Sequence, residues 1–309
     1  MSSEDFPPFN DLYIPDDHPE KGFMYPGALP IPSEMSGLVD SLLKIARSEG
    51  KDYTAKYGNL IFRGHRKQTI EGAIHIFRRS PTKIRTLEET GIPSIVITEL
   101  RSPRLSAGGL VLVCGQPGNG KSTTCAAVLV DRLIQFGGVA ITVEDPVEMP
   151  LQGEHGKGRC LQTNLSGKDD YPEAIRDTMR DYPTGEQAIL MVGEVRDAET
   201  AALVLKSGVD GRLVLTTVHG ADVASGLQRL LSLAAHTIGE EEARNLLASS
   251  FRLAMHQKLD SGRLKLTCLM DTRAVVGRIM STTPLSHLTS DIQFQMNQLR
   301  LGQRLELRS

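Results

Sequence analysis

The segment that most constrains this chain is an apolar run, Gly109-Leu110-Val111-Leu112-Val113-Cys114, followed at once by Gly115-Gln116-Pro117-Gly118-Asn119-Gly120-Lys121-Ser122 and then by a helical pattern. The loop fits G-x-x-x-x-G-K-[ST], and strand, loop and helix stand in the order that motif needs. Glycines let successive backbone N–H groups turn inward, and the following helix presents its positive end to whatever anion they enclose. The expectation is a phosphate cradle in which Gly115, Pro117, Gly118, Asn119, Gly120, Lys121, Ser122 and Thr123 surround a nucleotide. Lys121 adds a point charge at the outer phosphates, and the Ser122 hydroxyl is the expected Mg²⁺ ligand. ATP and Mg²⁺ are the cofactors this reading expects.

Hydrolysis needs carboxylates at the C-terminal ends of strands beside such a loop. Ala140-Ile141-Thr142-Val143 ends in Glu144-Asp145-Pro146-Val147-Glu148, where Pro146 stops the strand and Glu144 and Asp145 become candidate catalytic groups. Ala188-Ile189-Leu190-Met191-Val192 ends in Gly193-Glu194-Val195-Arg196-Asp197, delivering a carboxylate in Walker B fashion. Gly193 takes the place where most such loops' partners keep an aspartate, so Glu194, on a strand adjacent to the phosphate loop, is the expected water-polarising residue. Leu213-Val214-Leu215-Thr216-Thr217-Val218 ends at His219. A lone histidine is often only structural, but its place at yet another strand end marks it as a candidate for the same crevice.

The alternation of apolar strands with helical segments predicts a parallel sheet covered by helices, an α/β arrangement, over residues 109–309, with the sequence mainly helical from about Ser232 apart from a hairpin near Asp260 to Leu266. Residues 1–35 carry Pro7, Pro8, Pro15, Pro19, Pro26, Pro30 and Pro32 among acids and glycines and predict an extended or disordered arm. Residues 36–95 predict a small α+β domain, with helical spacing at Leu38, Leu42, Leu43 and Ile45 and short strands at 60–62 and 73–77. Residues 96–108 read as a linker and the place for a hinge. Either the arm completes the short N-terminal domain or that domain is a compact variant.

Composition narrows the function. A length of 309 residues is enough for two ordinary domains without staples, and the four cysteines lie far apart with no CxxC pair, so they read as reduced and mostly buried. A formal net charge of -2 and the absence of Trp argue against a dedicated nucleic-acid binder, and no stable nucleic-acid binding is expected. No run approaches the roughly eighteen apolar residues of a membrane span, and the acidic, Pro-rich start is no signal peptide, so the expected location is cytoplasmic.

The ordered blocks Gly115 to Ser122, Thr142 to Glu148, Gly193 to Asp197 and Thr217-Val218-His219 resemble the Walker A, Asp box, Walker B and His box of the secretion and type IV pilus ATPase superfamily. Ala174 to Asp181, Phe77 to Lys83 and Leu87 to Pro93 resemble the segments between and before those blocks, so the resemblance covers about residues 60 to 270. It implies a RecA-like P-loop ATPase domain with a small N-terminal domain and a C-terminal helical part. It also implies a ring of identical subunits, a hexamer, peripherally attached to inner-membrane secretion or pilus platform proteins. An N-terminal arginine reaching a nucleotide is implied too, and by spacing from Arg78 that is Arg63, with Arg66 as substitute. A solvated basic strand is the other reading, since Arg66, Lys67, Arg78, Arg79, Lys83 and Arg85 lie nearby, and Ile61 stands where the family commonly has a second arginine.

Within the resemblance, the missing four-cysteine module disfavours pilus assembly and type II secretion, and the retraction signature is degenerate in Thr272 to Ile279. A motor for type IV secretion or conjugation, placed first, and a pilus-retraction motor both stay open. Rivals from other classes are a nucleic-acid translocase on the same core, a small-molecule kinase and a regulatory ATP-binding protein without turnover.

Overall fold

The computed structural model describes residues 6–165 and 171–308, and the chain divides into two compact units. The first five residues of the expected arm lie outside the described residues. The first unit takes residues up to Ile84 together with 144–150 and 163–165; the second takes 85–143, 151–162 and 171 onward.

In the first unit the chain runs through β1 (Asp11–Pro15), β2 (Phe23–Tyr25), β3 (Leu29–Pro30), α1 (Ser36–Ala46), β4 (Asp52–Tyr57), β5 (Leu60–Thr69) and β6 (Gly72–Arg79). The sheet order is β3-β2-β1-β6-β5-β4. Residues 11–30, expected as part of an extended or disordered arm, thus supply three strands. Leu12 and Ile14 alternate inward with Tyr13 outward, and β1 pairs antiparallel with β6 as Leu12↔Phe77 and Ile14↔His75. Two buried apolar side chains and a ladder on both sides of β1 outweigh the Pro and Gly content, which falls at strand ends and in the connections. The expected strands at 60–62 and 73–77 lengthen to the whole of β5 and β6, joined by a tight turn at Ile70-Glu71. α1 buries Leu38, Val39, Leu42, Leu43 and Ala46 against the inner face of this sheet, where Phe9, Tyr53, Phe62 and Phe77 complete the core.

The second unit continues with α2 (Ser94–Leu100), β7 (Gly109–Cys114), α3 (Lys121–Phe136), β8 (Gly138–Glu144), β9 (Gly153–His155), β10 (Gly158–Asn164), α4 (Tyr171–Thr178), β11 (Ala188–Val192), α5 (Ala198–Val209), β12 (Leu213–Val218), α6 (Val223–Ile238), α7 (Glu240–Ser250), β13 (Phe251–Asp260), β14 (Arg263–Met270), α8 (Arg273–Met280) and α9 (Leu288–Arg300). Its eight strands are ordered β14-β13-β7-β12-β11-β8-β10-β9, with β8, β11, β12, β7 and β13 parallel. β7 and β12 are buried along their whole length, which is why they read as unbroken apolar runs.

Two sequence expectations change here. Beyond Ser232 the helices α7, α8 and α9 are joined by a longer hairpin than expected: it runs from Phe251 to Met270 and enters the main sheet beside β7, burying Phe251, Leu253, Ala254, Met255 and Gln257 of β13. Residues 96–108 are not a free linker either. Val96, Ile97, Leu100 and Leu105 are buried. Arg101 grips Asp131 of α3 through Nη2 at 2.6 Å and Nε at 3.1 Å. Arg132 of α3, fully buried, donates to the Ser102 carbonyl at 2.8 Å and to Ser106 Oγ at 2.6 Å and Gln187 Oε1 at 2.5 Å. Burial pulls Arg132 down to about 10, still cationic at neutral pH. The segment expected to hinge is therefore fastened to α3, and the chain leaves the first unit upstream of it, at Ile84.

Candidate functional site

Parallel strands share one C-terminal edge, and ligands of such sheets collect there. β7 ends on that edge in Gly115 to Gly120, and α3 starts at Lys121. Gly118 and Gly120 have φ of 78° and 77°, backbone that only glycine adopts without cost. Gly115 is constrained by space as well: a Cβ there would sit 2.5 Å from the carbonyl oxygen of Gln257. Gln116, Pro117 and Gly118 are exposed, Lys121 is buried with its ammonium 3.1 Å from the Gln116 carbonyl, and Ser122 and Thr123 are half-buried in the first turn of α3. The loop thus closes around its own lysine in a shape that leaves backbone N–H groups at a helix N-terminus, the arrangement that receives phosphate.

β13 braces this loop, a contact the motif does not announce. Gln257, buried, donates from Nε2 to the Asn119 carbonyl at 2.7 Å, and Asn119 Oδ1 accepts the Leu259 N–H at 3.0 Å. Asn119, expected among the nucleotide-binding residues, thus has its side chain turned to β13. Beneath it Cys114 donates to the Met255 carbonyl at 3.3 Å, and burial pushes its thiol up to about 12, so it is no nucleophile. All four cysteines are buried and outside any disulfide, in keeping with the reduced state expected from their spacing.

Glu194 follows β11 directly. Its Oε1 lies 2.8 Å from His219 Nε2 and its Oε2 lies 3.0 Å from Arg196 Nη2. Thr217 Oγ1 donates to the Gly193 carbonyl at 2.7 Å and Val195 N–H to the Thr217 carbonyl at 3.0 Å, so the ends of β11 and β12 are stapled and carry Glu194 and His219 side by side. Asp197 caps α5, accepting the Thr200 N–H at 2.8 Å. β12 lies between β7 and β11, so the expectation that the Glu194 strand adjoins the phosphate-loop strand is corrected. Two strand spacings, about 10 Å, separate β7 from β11, and the intervening strand is the one that ends in His219.

The remaining candidates belong to the first unit. Glu144, buried, ends β8, and its Oε2 accepts the Glu148 N–H at 3.4 Å; Asp145 beside it is half-buried. Arg63 lies on the outer face of β5 with its Nη1 3.7 Å from Glu148 Oε1, opposite Arg78 of β6, which is itself held by Asp11 at 2.7 Å. Among the described residues no cluster of three or more His, Cys, Asp or Glu is placed to hold a metal ion. A Mg²⁺ here fits the Ser122 hydroxyl combined with phosphate oxygens of a nucleotide, a hard-oxygen set that suits this ion.

Comparison with known proteins adds to this geometry. Residues 70–290 match the family described as Type II/IV secretion system protein. The chain is 32% identical over 233 residues to the Type IV pilus retractation ATPase PilT of Pseudomonas aeruginosa, covering 72% of this chain and 63% of that protein. In fold it is similar to a crystal structure of the pilus retraction motor PilT with bound ADP, at a TM-score of 0.71 and 22% identity over 96% of this chain and 86% of that one. It is similar also to the Legionella pneumophila ATPase DotB, at a TM-score of 0.70 and 20% identity over 94% of this chain and 84% of that one. The chain spans 61% to 64% of the length of the first curated relatives it matches.

Proposed function

The chain belongs to the Type II/IV secretion system protein family, and from that membership we propose that it is a Mg²⁺-dependent ATPase that drives a type IV secretion, conjugation or type IV pilus machine. The observation that carries the reading is the Glu194–His219 pair at 2.8 Å on neighbouring strand ends, in the same sheet whose β7 delivers a glycine loop and Lys121. The His219 strand standing between the Lys121 and Glu194 strands supports a RecA-like P-loop arrangement.

In this reading the backbone of Gly115 to Gly120 encloses the phosphates of ATP, Lys121 neutralises the outer ones, and Ser122 holds Mg²⁺ against them. Thr123 adds a hydroxyl in the first helical turn. Glu194 orients water toward the terminal phosphate, and His219 fixes the carboxylate and stands ready for charge developing there. Glu144 and Asp145 are proposed as further acidic groups of the reaction, and Arg63 as the cation brought to the nucleotide. The bound ADP of the similar retraction motor supports the choice of nucleotide.

A homo-oligomeric ring, a hexamer, docked from the cytoplasm on inner-membrane platform proteins completes the proposal. The relative named a pilus retractation ATPase supports retraction, and the description of the matched family supports the secretion branch. No helix among the described residues is long and apolar enough to cross a membrane, which fits peripheral attachment.

Phosphate release by wild type, Lys121→Ala and Glu194→Gln tests the enzyme. Lys121→Ala should lose ATP binding. Glu194→Gln should bind ATP and hold it unhydrolysed, slowed about a hundredfold or more. Turnover of Glu194→Gln at the wild-type rate sinks the assignment.

A further inference from the structure

One hydrogen bond sets the facing of a peptide in the phosphate loop. Gln257 of β13 donates from Nε2 to the Asn119 carbonyl at 2.7 Å. The peptide joining Asn119 to Gly120 is trans and planar, so its carbonyl and its N–H point in opposite directions. With the carbonyl drawn to β13, the Gly120 N–H is turned away from β13.

This peptide is one that needs holding. Gly120 has a φ of 77° and no side chain, so a flip of the peptide before it, to negative φ, meets little steric resistance. The peptide after Gly120 is held by α3, whose Thr124 N–H reaches the Gly120 carbonyl at 3.0 Å. The one before it is held from β13, by Gln257 at the carbonyl and by the Leu259 N–H on Asn119 Oδ1 at 3.0 Å. Gln257 is 1% exposed, and its Oε1 has no hydrogen-bond partner among the described residues. Burying an amide oxygen unpaired costs stability that an apolar side chain of like size avoids. Fold stability therefore does not account for a glutamine at this position, whereas its bond to Asn119 does.

We propose that Gln257 is a positioning residue for the phosphate cradle, which locks the Asn119–Gly120 peptide so that the Gly120 N–H faces the phosphates. By drawing on the carbonyl it also polarises that N–H into a stronger donor. The proposal rests on the reading of the loop as an ATP site given above. A phosphate contact of this kind is made alike in bound ATP and during its hydrolysis, so Gln257 acts on affinity and leaves the chemical step nearly untouched.

Affinities for ATP and for inorganic tripolyphosphate, each with Mg²⁺, test it beside the single-turnover rate at saturating ATP and the melting temperature. Gln257→Met, of similar size but without a donor, should weaken both ligands by the same factor, roughly threefold to tenfold. Its rate at saturating ATP should stay within about twofold of wild type. Gln257→Glu should weaken both ligands further, since an ionised carboxylate only accepts and so draws the Gly120 N–H toward β13, favouring the flipped peptide. In wild type carrying isotope-labelled glycine, the Gly120 amide resonance should move when tripolyphosphate is added, a readout that needs no variant to fold. Wild-type affinity for both ligands in a folded Gln257→Met or Gln257→Glu overturns the lock. So does a loss confined to ATP with tripolyphosphate binding retained, or a Gly120 resonance that stays in place while tripolyphosphate binds. In each of these outcomes wild type still binds ATP, and the nucleotide reading stands. Wild type that binds neither ATP nor tripolyphosphate removes that reading and the lock with it.

Discussion

His75 on β6 is fully buried, with Tyr53 Oη 2.9 Å from Nδ1 and Asp16 Oδ1 3.8 Å from Nε2. Burial is the first cause that holds its imidazole below the ordinary histidine range, and the nearby Asp16 only partly opposes this. The unfolded chain therefore takes up this proton first, and the folded state loses stability as pH falls below about 6.5, the ordinary histidine value. Asp16, held low chiefly by its hydrogen bond from Arg47, adds a loss of the same sign only at more acid pH, below 3.8. The melting temperature should fall between pH 7 and pH 5, and His75→Gln should flatten that slope; equal slopes would show that another group governs it. No residue spacing announces this histidine, because its burial comes from Tyr53 and Phe77 on neighbouring strand positions. Lys121 is the opposite case. Its role is carried by glycines and a helix start within eight residues, so the sequence displays it whole.

Among the elements, β4 and β5 show how a glycine can set a sheet's packing. Gly64 stands opposite Tyr53, and a Cβ on it would lie 2.0 Å from the tyrosine ring. The ring of Tyr53, itself buried, covers the bare backbone of its partner strand. Gly64→Ala should cost about 1–3 kcal/mol through overpacking, read by denaturant unfolding, and a cost near zero would mean the ring has room to turn. Element by element, legibility followed the range of the contacts. β7, β8, β11 and β12 were readable because strands buried on both faces are continuous apolar runs. β1 to β3 were not, since five residues or fewer with at most two buried side chains resemble loop until β1 is placed beside β6. α2 and the turn after it were misread as linker for a related reason: Arg101 and Arg132 find their partners on other elements. The full β13–β14 hairpin escaped because His256, Gln257, Lys258 and Asp260 break the apolar run, so the strand reads as loop until β14 is placed beside it.

For the whole molecule, the proposed ring makes a measurable claim. If turnover requires neighbouring copies, ATPase activity per subunit should rise with protein concentration and level off where sedimentation shows the assembled species. Constant specific activity down to the monomer would remove the ring from the mechanism. Residues 100–106, expected to hinge, are fastened to α3 inside the second unit, and the chain passes from one unit to the other at Ile84 and again on either side of residues 144–150.

The brace from the Gln257 side chain and the Leu259 backbone to Asn119 reaches 138 and 140 positions along the chain. The glycine-lysine signature is thus not a portable part. Its letters are contiguous, but its curvature is lent by a strand translated long afterwards, and a nascent chain that has emerged only as far as α7 would display every letter of the loop without the wall that shapes it.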